Sequence, residues 1–346
     1  MSEILDLLVV GAGPTGIAIG AEARRQGLSV LLVDRGPLTA AIQAYPTFMQ
    51  FFTTRDLLEI ADVPFTIAED KPSRRQALAY YQAVVNRYQV PLALYEDVLE
   101  VRKEGDGFAV ATAAPAPAGN AEPRQVRRAR AVALATGYFI NPLKLDVPGV
   151  DLPWVSYRYL EPYPHYSQDV VVIGGGNSAA EAALDLWRNG ARVTLVHRGE
   201  AIRPGVKYWV KPDIENRIEE GSIPARFNAR ILAFHDGDGE VGGEVEIETP
   251  QGPLKTLKTV ERLPAQAVYV LIGYVPDTDF ERRCGVEVDP ETLIPTYDPE
   301  TCESNVPGLY VAGTLQAGRR TNLIFIENSR DHGPRIVDHL KRRLDG

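Results

Sequence analysis

The chain has 346 residues, of which 45% are hydrophobic, and its formal net charge is -9 at pH 7. This length allows two domains of ordinary size, each with its own core. The negative charge and the lack of a long basic run exclude a nucleic-acid surface, which needs clustered Lys and Arg side chains. No apolar run approaches the roughly 20 residues of a membrane-spanning helix. We therefore expect neither a nucleic acid nor a membrane as a partner.

The cysteine content and the N-terminal segment favour a cytoplasmic protein. The two cysteines, Cys284 and Cys302, form no C-x-x-C pair and suit a reducing compartment. The first residues have neither the basic start nor the apolar core of a secretion signal. None of the five histidines has the spacing of a metal-binding pair, so we expect no metal site.

The first predicted unit consists of a strand, a glycine turn, a helix and a second strand. Leu5–Val10 ends in the apolar run Leu7–Val10 and is typical of a strand in a parallel sheet. Ile17–Gln26 has the pattern of a crossover helix, and Ser29–Asp34 that of the next strand. The turn has the G-x-G-x-x-G spacing that brings the backbone close to a pyrophosphate. Its residues are Gly11, Gly13, Pro14, Thr15 and Gly16.

Asp34 indicates which dinucleotide the first turn accepts. It lies about 20 residues beyond the glycines, where a carboxylate accepts hydrogen bonds from an adenosine ribose. A carboxylate at this position also repels a 2′-phosphate. The first unit therefore fits FAD or NAD, but not NADP.

The middle of the chain contains a predicted hairpin and a domain boundary. Ala113–Pro123 is an Ala/Pro-rich loop between strands at Phe108–Thr112 and Ala131–Ala135. The second of these strands leads into the small-residue turn at Gly137. We expect one domain over 1–150 and 278–346, and a second domain over 151–277.

A second strand-turn-helix pattern follows with the opposite charge. Strands are predicted at Asp169–Ile173 and Arg192–Val196, with a helix to about Asn189 between them. The glycine turn contains Gly174, Gly176, Asn177 and Ser178. The second strand ends at His197, Arg198 and, further on, Arg203, and guanidinium groups pair well with phosphate. This unit therefore fits NADPH.

The two sites together predict an α/β flavoprotein that takes a hydride from NADPH. Near the C-terminus, Leu309–Gly313 places another small-residue turn before a helix predicted to start near Thr321. The expected fold has two Rossmann-like domains in three layers, with the NADPH domain inserted in the FAD domain.

Four segments give the chain a resemblance to a known family. They are FFTTRDLLEIADVPF from Phe51, ATGYF from Ala135, VKYWVKPDIENRIEEGSI from Val206 and NLIFIENSRDHG from Asn322. With the two glycine turns, they resemble the bacillithiol disulfide reductases within the thioredoxin-reductase-like flavoproteins. The resemblance implies a homodimer or homotetramer that reduces a small disulfide with NADPH and FAD.

The resemblance also implies roles for individual residues. FAD would be held by Gly11, Gly13, Gly16 and Asp34, with Gly313 near its ribityl chain. NADPH would be held by Gly174, Gly176, Asn177, Ser178, Arg198 and Arg203. His332 would lie beside the flavin, where it could donate a proton to a leaving thiolate or to a flavin nitrogen. A more ordinary hypothesis makes His332 a helix-terminal side chain bonded to a carbonyl.

The chain departs from the family pattern in three places. It has no C-x-x-C pair in the second domain, and it has Thr314 where related families often carry an Asp. It also has Thr15 in the first glycine turn, at the position where many members of the family that it resembles carry a cysteine. A thiol at a helix N-terminus can exchange with a disulfide, whereas a threonine can only form hydrogen bonds.

Two alternatives to disulfide reduction remain open at this point. A ferredoxin- or flavodoxin-NADP reductase transfers electrons to a redox-protein acceptor and needs no cysteine. A low-turnover redox sensor that binds flavin and NADPH would also keep the binding residues without a reactive thiol.

Overall fold

The computed structural model describes residues 4–114, 125–237, 242–251 and 257–345. The chain forms two compact units. The first contains the residues up to Asn141 together with those from Tyr274 onward, and the second is Pro142–Gly273.

The elements up to Asn141 are β1 (Leu5–Val10), α1 (Pro14–Arg25), β2 (Val30–Asp34), α2 (Ala40–Gln43), α3 (Arg55–Leu58), α4 (Arg74–Tyr88), β3 (Leu92–Leu94), β4 (Asp97–Glu104), β5 (Gly107–Ala113) and β6 (Gln125–Leu134). The second unit has β7 (Val155–Ser156), a 3₁₀ turn (Tyr163–His165), β8 (Asp169–Ile173), α5 (Asn177–Arg188), β9 (Arg192–Val196), α6 (Lys211–Glu219), β10 (Ala225–Arg226), β11 (Arg230–Asp236), β12 (Gly243–Gln251), β13 (Leu257–Ala265) and β14 (Ala267–Val270). The chain then continues through α7 (Thr278–Arg283), β15 (Leu309–Val311), a 3₁₀ turn (Gly313–Ala317), α8 (Ile326–Ser329) and α9 (His332–Asp345).

The first unit is built on a seven-stranded sheet. Its strand order is β3-β2-β1-β6-β5-β4, and β15 also pairs with β6. β1 is parallel to β2 and β6, and β15 is parallel to the end of β6. β4, β5 and the beginning of β6 pair antiparallel. The carboxyl ends of β1, β2, β6 and β15 therefore lie at the same edge of the sheet, where ligands bind in open α/β folds.

Both faces of this sheet are covered, as β1 illustrates. Leu7 and Val9 belong to a core shared with α1, α4 and α9. Leu8 and Val10 belong to a second core shared with β4, β5 and α7. Successive side chains of a strand point to opposite faces, so a strand between two cores has to be apolar throughout. This explains the apolar run Leu7–Val10, whose four residues are all buried, and confirms the three-layer arrangement.

The second unit repeats this design. A parallel sheet has the order β10-β9-β8-β14-β7, and a separate antiparallel sheet has the order β11-β12-β13. Val170 and Val172 of β8 pack in the core that contains α5 and α6, whereas Val171 and Ile173 pack in the core that contains β11, β12 and β13. The predicted α/β class with two Rossmann-like units is confirmed.

The limits of the two units differ from the predicted positions at 150/151 and 277/278. Pro148 and Gly149 already belong to the second unit, because the Phe234 amide donates to the Pro148 carbonyl at 2.9 Å. Tyr274 belongs to the first unit and stacks on Phe139 at a centroid distance of 4.4 Å. The Pro-rich composition therefore placed the first limit too far along the chain.

One predicted helix is wrong and one predicted loop lies outside the described residues. No helix starts near Thr321; the chain turns there, and α8 begins only at Ile326. Asn328 accepts from the Phe325 amide and donates to the Leu323 carbonyl, which fixes the turn before α8. Most of the predicted Ala113–Pro123 loop falls outside the described residues, and the strands on either side of it pair antiparallel as expected.

Candidate functional site

The first glycine turn joins β1 to α1, and each glycine has a distinct steric role. Gly11 has φ +111°, and a Cβ there would lie 2.4 Å from the Ala135 carbonyl oxygen. A Cβ on Gly16 would lie 2.0 Å from the Gly11 carbonyl oxygen. Gly13 caps α1, and among the described residues no atom lies within 4 Å of a Cβ built on it. Gly11 and Gly16 therefore allow close packing, and Gly13 leaves an open approach to the helix N-terminus.

Asp34 is fixed beside this turn at the end of β2. Its Oδ2 accepts from the Ala12 amide at 2.7 Å, and its Oδ1 accepts from the Gly36 amide at 2.8 Å. Burial raises the pKa of Asp34, and the two amide hydrogen bonds oppose that shift. Each carboxylate oxygen has more than one acceptor position, so the oriented group can still accept from a ribose hydroxyl.

Two further predicted residues converge on the same edge. Gly137 follows β6 and Gly313 follows β15, with φ of +67° and +70°. A Cβ on Gly137 would lie 3.5 Å from Oγ1 of Thr314, and a Cβ on Gly313 would lie 2.7 Å from Oγ1 of Thr15. The structure therefore brings the first turn, Gly137 and Gly313 together.

Thr15 forms a hydrogen bond with a residue that the sequence did not single out. Its Oγ1 lies 3.4 Å from Oγ of Ser329, which is 1% exposed at the end of α8. Ser329 itself donates to the Phe325 carbonyl at 2.7 Å. The Ser329 hydroxyl has only one proton, so in the contact between the two hydroxyls Thr15 is the donor. Ser329 lies within the NLIFIENSRDHG segment, the only feature that pointed to it.

His332 is the first residue of α9, and its hydrogen-bond partner is a backbone amide. Its Nδ1 accepts a hydrogen bond from the Gly313 amide at 3.0 Å. Burial, aided by the charge of Arg335, lowers the pKa of His332 to about 4. The ring is therefore neutral near pH 7, and Nδ1 is already occupied as an acceptor. At Nδ1 the partner is thus an amide N–H and not the carbonyl of the more ordinary hypothesis.

The second glycine turn joins β8 to α5. Gly174 has φ +146°, and a Cβ there would lie 2.4 Å from the Leu271 carbonyl oxygen. Gly176 caps α5, and within the described part of the chain no atom lies within 4 Å of a Cβ placed on it. A Cβ on Gly175 would lie 2.5 Å from the His197 imidazole. This turn repeats the division between packed and open glycines seen in the first unit.

Asn177 ties a loop to the second turn. Its Oδ1 accepts from the Lys207 amide at 2.8 Å, and its Nδ2 donates to the Gly205 carbonyl at 3.4 Å. The Arg203 amide donates to the Gly175 carbonyl at 3.0 Å. The loop that carries Arg203 is therefore held against the glycine turn. The neighbouring Ser178 lies in the first turn of α5.

A basic cluster lies where the first unit has Asp34. His197 follows β9, and burial lowers its pKa, with further lowering from the charges of Arg198 and Arg203. The imidazole is thus close enough to both guanidinium groups to respond to their charge. Asp34 and this cluster occupy corresponding places after the second strand of each unit. The two units therefore favour different adenosine groups, a free ribose in the first and a 2′-phosphate in the second.

Both turns fit a dinucleotide pyrophosphate. Among the described residues, neither α1 nor α5 has a side-chain cap, so no side chain competes for the first amides of either helix. Uncapped helix N-termini bind phosphate through these amides and the helix dipole.

Both cysteines of the chain lie in cores. Cys284 is 6% exposed and Cys302 is 0% exposed. Burial raises the pKa of Cys284 to about 12 and also raises the pKa of Cys302. A thiol with a raised pKa is a poor nucleophile at neutral pH, so neither cysteine is placed for disulfide exchange.

The described ranges contain neither a metal-binding cluster nor a helix that could span a membrane. Within them, no three His, Cys, Asp or Glu side chains are grouped to hold a metal ion. In the same part of the chain, no helix has the length and apolar character needed to cross a membrane.

Comparison with known proteins gives consistent matches over nearly the whole chain. Bacilliredoxin reductase Bdr of Bacillus subtilis is 35% identical over 337 residues, which cover 97% of each chain. The structure of bacillithiol disulfide reductase Bdr (YpdA) from Bacillus cereus matches with a TM-score of 0.89 at 34% identity, over 99% of this chain and 100% of that one. A ferredoxin–NADP reductase of Ignicoccus hospitalis is 25% identical over 330 residues, 92% of each chain.

The family model described as pyridine nucleotide-disulphide oxidoreductase matches residues 8–313. This range includes both glycine turns, Asp34 and the basic cluster at Arg198. Proteins of this family and its thioredoxin-reductase-like members use FAD and NADPH. The chain thus belongs to the pyridine nucleotide-disulphide oxidoreductase family and is an NADPH-dependent flavoprotein enzyme with FAD as its cofactor.

Proposed function

We propose that this enzyme reduces bacillithiol disulfide, or a similar low-molecular-weight disulfide, with electrons from NADPH. The observation that carries the proposal is the 35% identity to bacilliredoxin reductase over 97% of both chains. The contrast between Asp34 in one unit and Arg198 and Arg203 in the other supports the pairing of FAD with NADPH. We also propose a cytoplasmic homodimer or homotetramer.

The first unit would hold FAD. The backbone of the first glycine turn would bind the pyrophosphate at the N-terminus of α1, and Asp34 would accept from the adenosine ribose. Gly137 and Gly313 would allow the cofactor to approach the carboxyl ends of β6 and β15 closely. The proposed set is Gly11, Gly13, Pro14, Thr15, Gly16, Asp34, Gly137 and Gly313. When bound, FAD supplies a group that accepts hydride and passes electrons on.

The second unit would hold NADPH. The amides at the N-terminus of α5 would bind the pyrophosphate, and Arg198 and Arg203 would pair with the 2′-phosphate. Asn177 would act mainly by holding the loop that carries Arg203. The proposed set is Gly174, Gly176, Asn177, Ser178, His197, Arg198 and Arg203.

We infer that this chain delivers electrons to its acceptor without a protein thiol. Its two cysteines are buried, and the residue at the turn is Thr15, whose hydroxyl cannot exchange with a disulfide. A covalent mixed disulfide with the enzyme would need an accessible thiolate.

Anaerobic titration tests this function. The purified protein should carry FAD, NADPH should bleach its absorbance, and bacillithiol disulfide should restore it with release of two thiols. Better reduction by NADH than by NADPH would contradict the assignment of the second site. No reoxidation by any disulfide would contradict the substrate class.

The second candidate is transfer to a ferredoxin- or flavodoxin-type protein. The lack of an accessible thiol favours this candidate, because electron transfer to a redox protein needs no cysteine. In the same titration, faster reoxidation by ferredoxin than by the disulfide would favour it.

A further inference from the structure

The contact between Gly313 and His332 lies directly behind the first site. Gly313 stands at the carboxyl end of β15 with φ +70°. On one side, a Cβ would collide with Thr15 of the glycine turn; on the other, the amide donates to His332 Nδ1 at 3.0 Å. Gly313 is therefore held between the turn and the N-terminus of α9.

The protonation state of His332 follows from this bond. The Gly313 amide is a donor, so Nδ1 has to be unprotonated, and a neutral ring carries its proton on Nε2. The side chain is 5% exposed, and the charged neighbours that act on it are Arg335 and Asp331. A protonated ring would lose the acceptor that Gly313 needs.

The helix that carries His332 is itself packed against α1, the helix that follows the glycine turn. Gly333 packs so closely on α1 that a Cβ there would lie 2.9 Å from the Ala18 carbonyl oxygen. Ile336 and Val337 of α9 are fully buried in the core that also contains α1. The position of His332 is therefore set by packing rather than by the amide that it accepts from.

We propose that His332 is a positioning residue that holds Gly313, through its amide, in the conformation that the first nucleotide site needs. His332 acts on the backbone and does not donate a proton through Nδ1. The inference rests on the proposed assignment of the first site to FAD.

FAD affinity of the apoprotein, measured by quenching of flavin fluorescence, tests the role. His332→Leu removes the acceptor and leaves a buried amide unpaired, so we expect about tenfold weaker binding. His332→Asn keeps an acceptor oxygen near the place of Nδ1 and should bind within about twofold of the wild type. The matched control is His339→Leu, because His339 lies on the same helix and its Nδ1 is hydrogen-bonded to the Tyr310 hydroxyl, 2.9 Å away, instead of to Gly313.

Three results would overturn the inference. They are unchanged affinity in His332→Leu, equal weakening in His332→Asn and His332→Leu, or equal weakening in His339→Leu. The first leaves no role in FAD binding, the second shows that packing matters rather than the acceptor, and the third shows general damage to α9. A wild-type protein without FAD affinity would instead contradict the proposed function.

A measurement on the wild type tests the protonation state of His332 directly. Nitrogen NMR of ¹⁵N-histidine-labelled protein at pH 7 should show one buried ring with the proton on Nε2 and an unprotonated, hydrogen-bonded Nδ1. Assignment of that ring to His332 comes from its loss in His332→Asn. An imidazolium, or a proton on Nδ1, would contradict the inference.

Discussion

Asp34 Oδ2 accepts the amide hydrogen of Ala12 at 2.7 Å, so the acid after β2 also fixes the turn after β1. One carboxylate thus performs two tasks in the first unit. It shapes the phosphate-binding turn, and it presents its remaining acceptor positions to a ribose. The two tasks predict a graded response to substitution.

Replacing Asp34 should weaken FAD binding by an amount that depends on the substitution. Asp34→Ala loses both the turn contact and the ribose acceptor, so we expect affinity to fall about 10- to 100-fold. Asp34→Asn keeps one acceptor oxygen and should fall between this variant and the wild type. Fluorescence titration of each apoprotein checks the order. Wild-type affinity in Asp34→Ala would place the ribose elsewhere.

Acid should destabilise the protein partly through His332. The pKa of His332 in the folded chain is about 4, below the ordinary value of 6.5. The unfolded chain therefore binds the proton more readily than the folded chain. The stability that the neutral His332 ring contributes is present above pH 6.5 and is lost as the pH falls towards 4. The free energy of unfolding should drop by on the order of 2 kcal/mol between pH 7 and 5 from this group.

The same experiment on His332→Asn provides the comparison. Urea unfolding of the cofactor-free proteins at pH 7, 6 and 5 should give a shallower pH dependence for the variant. Parallel profiles would show that His332 titrates normally in the folded chain.

The basic cluster should set the choice of pyridine nucleotide. Arg198→Ala with Arg203→Ala removes the partners proposed for the 2′-phosphate, so KM for NADPH should rise about 10- to 100-fold while KM for NADH changes little. Arg192→Ala is the matched control, because Arg192 pairs with Asp169 at the opposite end of β8 and β9. Equal losses with both nucleotides would mean that the two arginines bind a group that NADH shares.

Thiol labelling should separate the buried cysteines from the position of Thr15. The folded wild type should react with no equivalent of a maleimide, and the urea-unfolded protein with two, because both thiols are buried. Thr15→Cys should add one fast-reacting thiol, since the N-terminus of α1 stabilises a thiolate. Thr15→Ser is the control that keeps a hydroxyl.

Activity of Thr15→Cys gives a further outcome. A marked gain in disulfide reduction over Thr15→Ser would show that the turn is positioned for thiol chemistry. A fast-reacting thiol in the folded wild type would contradict the inference that no protein thiol takes part.

Strands were predicted best where local chemistry alone determines them. Leu5–Val10, Asp169–Ile173 and Arg192–Val196 have the predicted limits, because each is a mostly apolar stretch that is followed by a glycine or a histidine. The glycine turns could be predicted as well, because the spacing of their glycines is also a local property of the sequence.

Contacts between distant segments could not be predicted from the sequence. Ser329 lies 314 positions from Thr15, and no local pattern predicts that His332 accepts from the Gly313 amide. The helix expected near Thr321 failed because Asn328 bonds backwards to Leu323 and Phe325, which favours a turn over a continuous helix.

The points where the chain leaves and re-enters the first unit determine whether the second unit can be deleted. The Val275 amide donates to the Asn141 carbonyl at 3.0 Å, and Leu143 donates to Gly273 at 2.9 Å. In each unit, the two points where the chain crosses to the other unit are thus hydrogen-bonded to each other. The inserted segment Pro142–Gly273 therefore begins and ends at adjacent positions. Closing a loop costs little more as it lengthens, about 0.6 kcal/mol per doubling. Replacing the inserted segment by a short glycine linker between Asn141 and Tyr274 should therefore leave a smaller protein that still folds around its seven-stranded sheet.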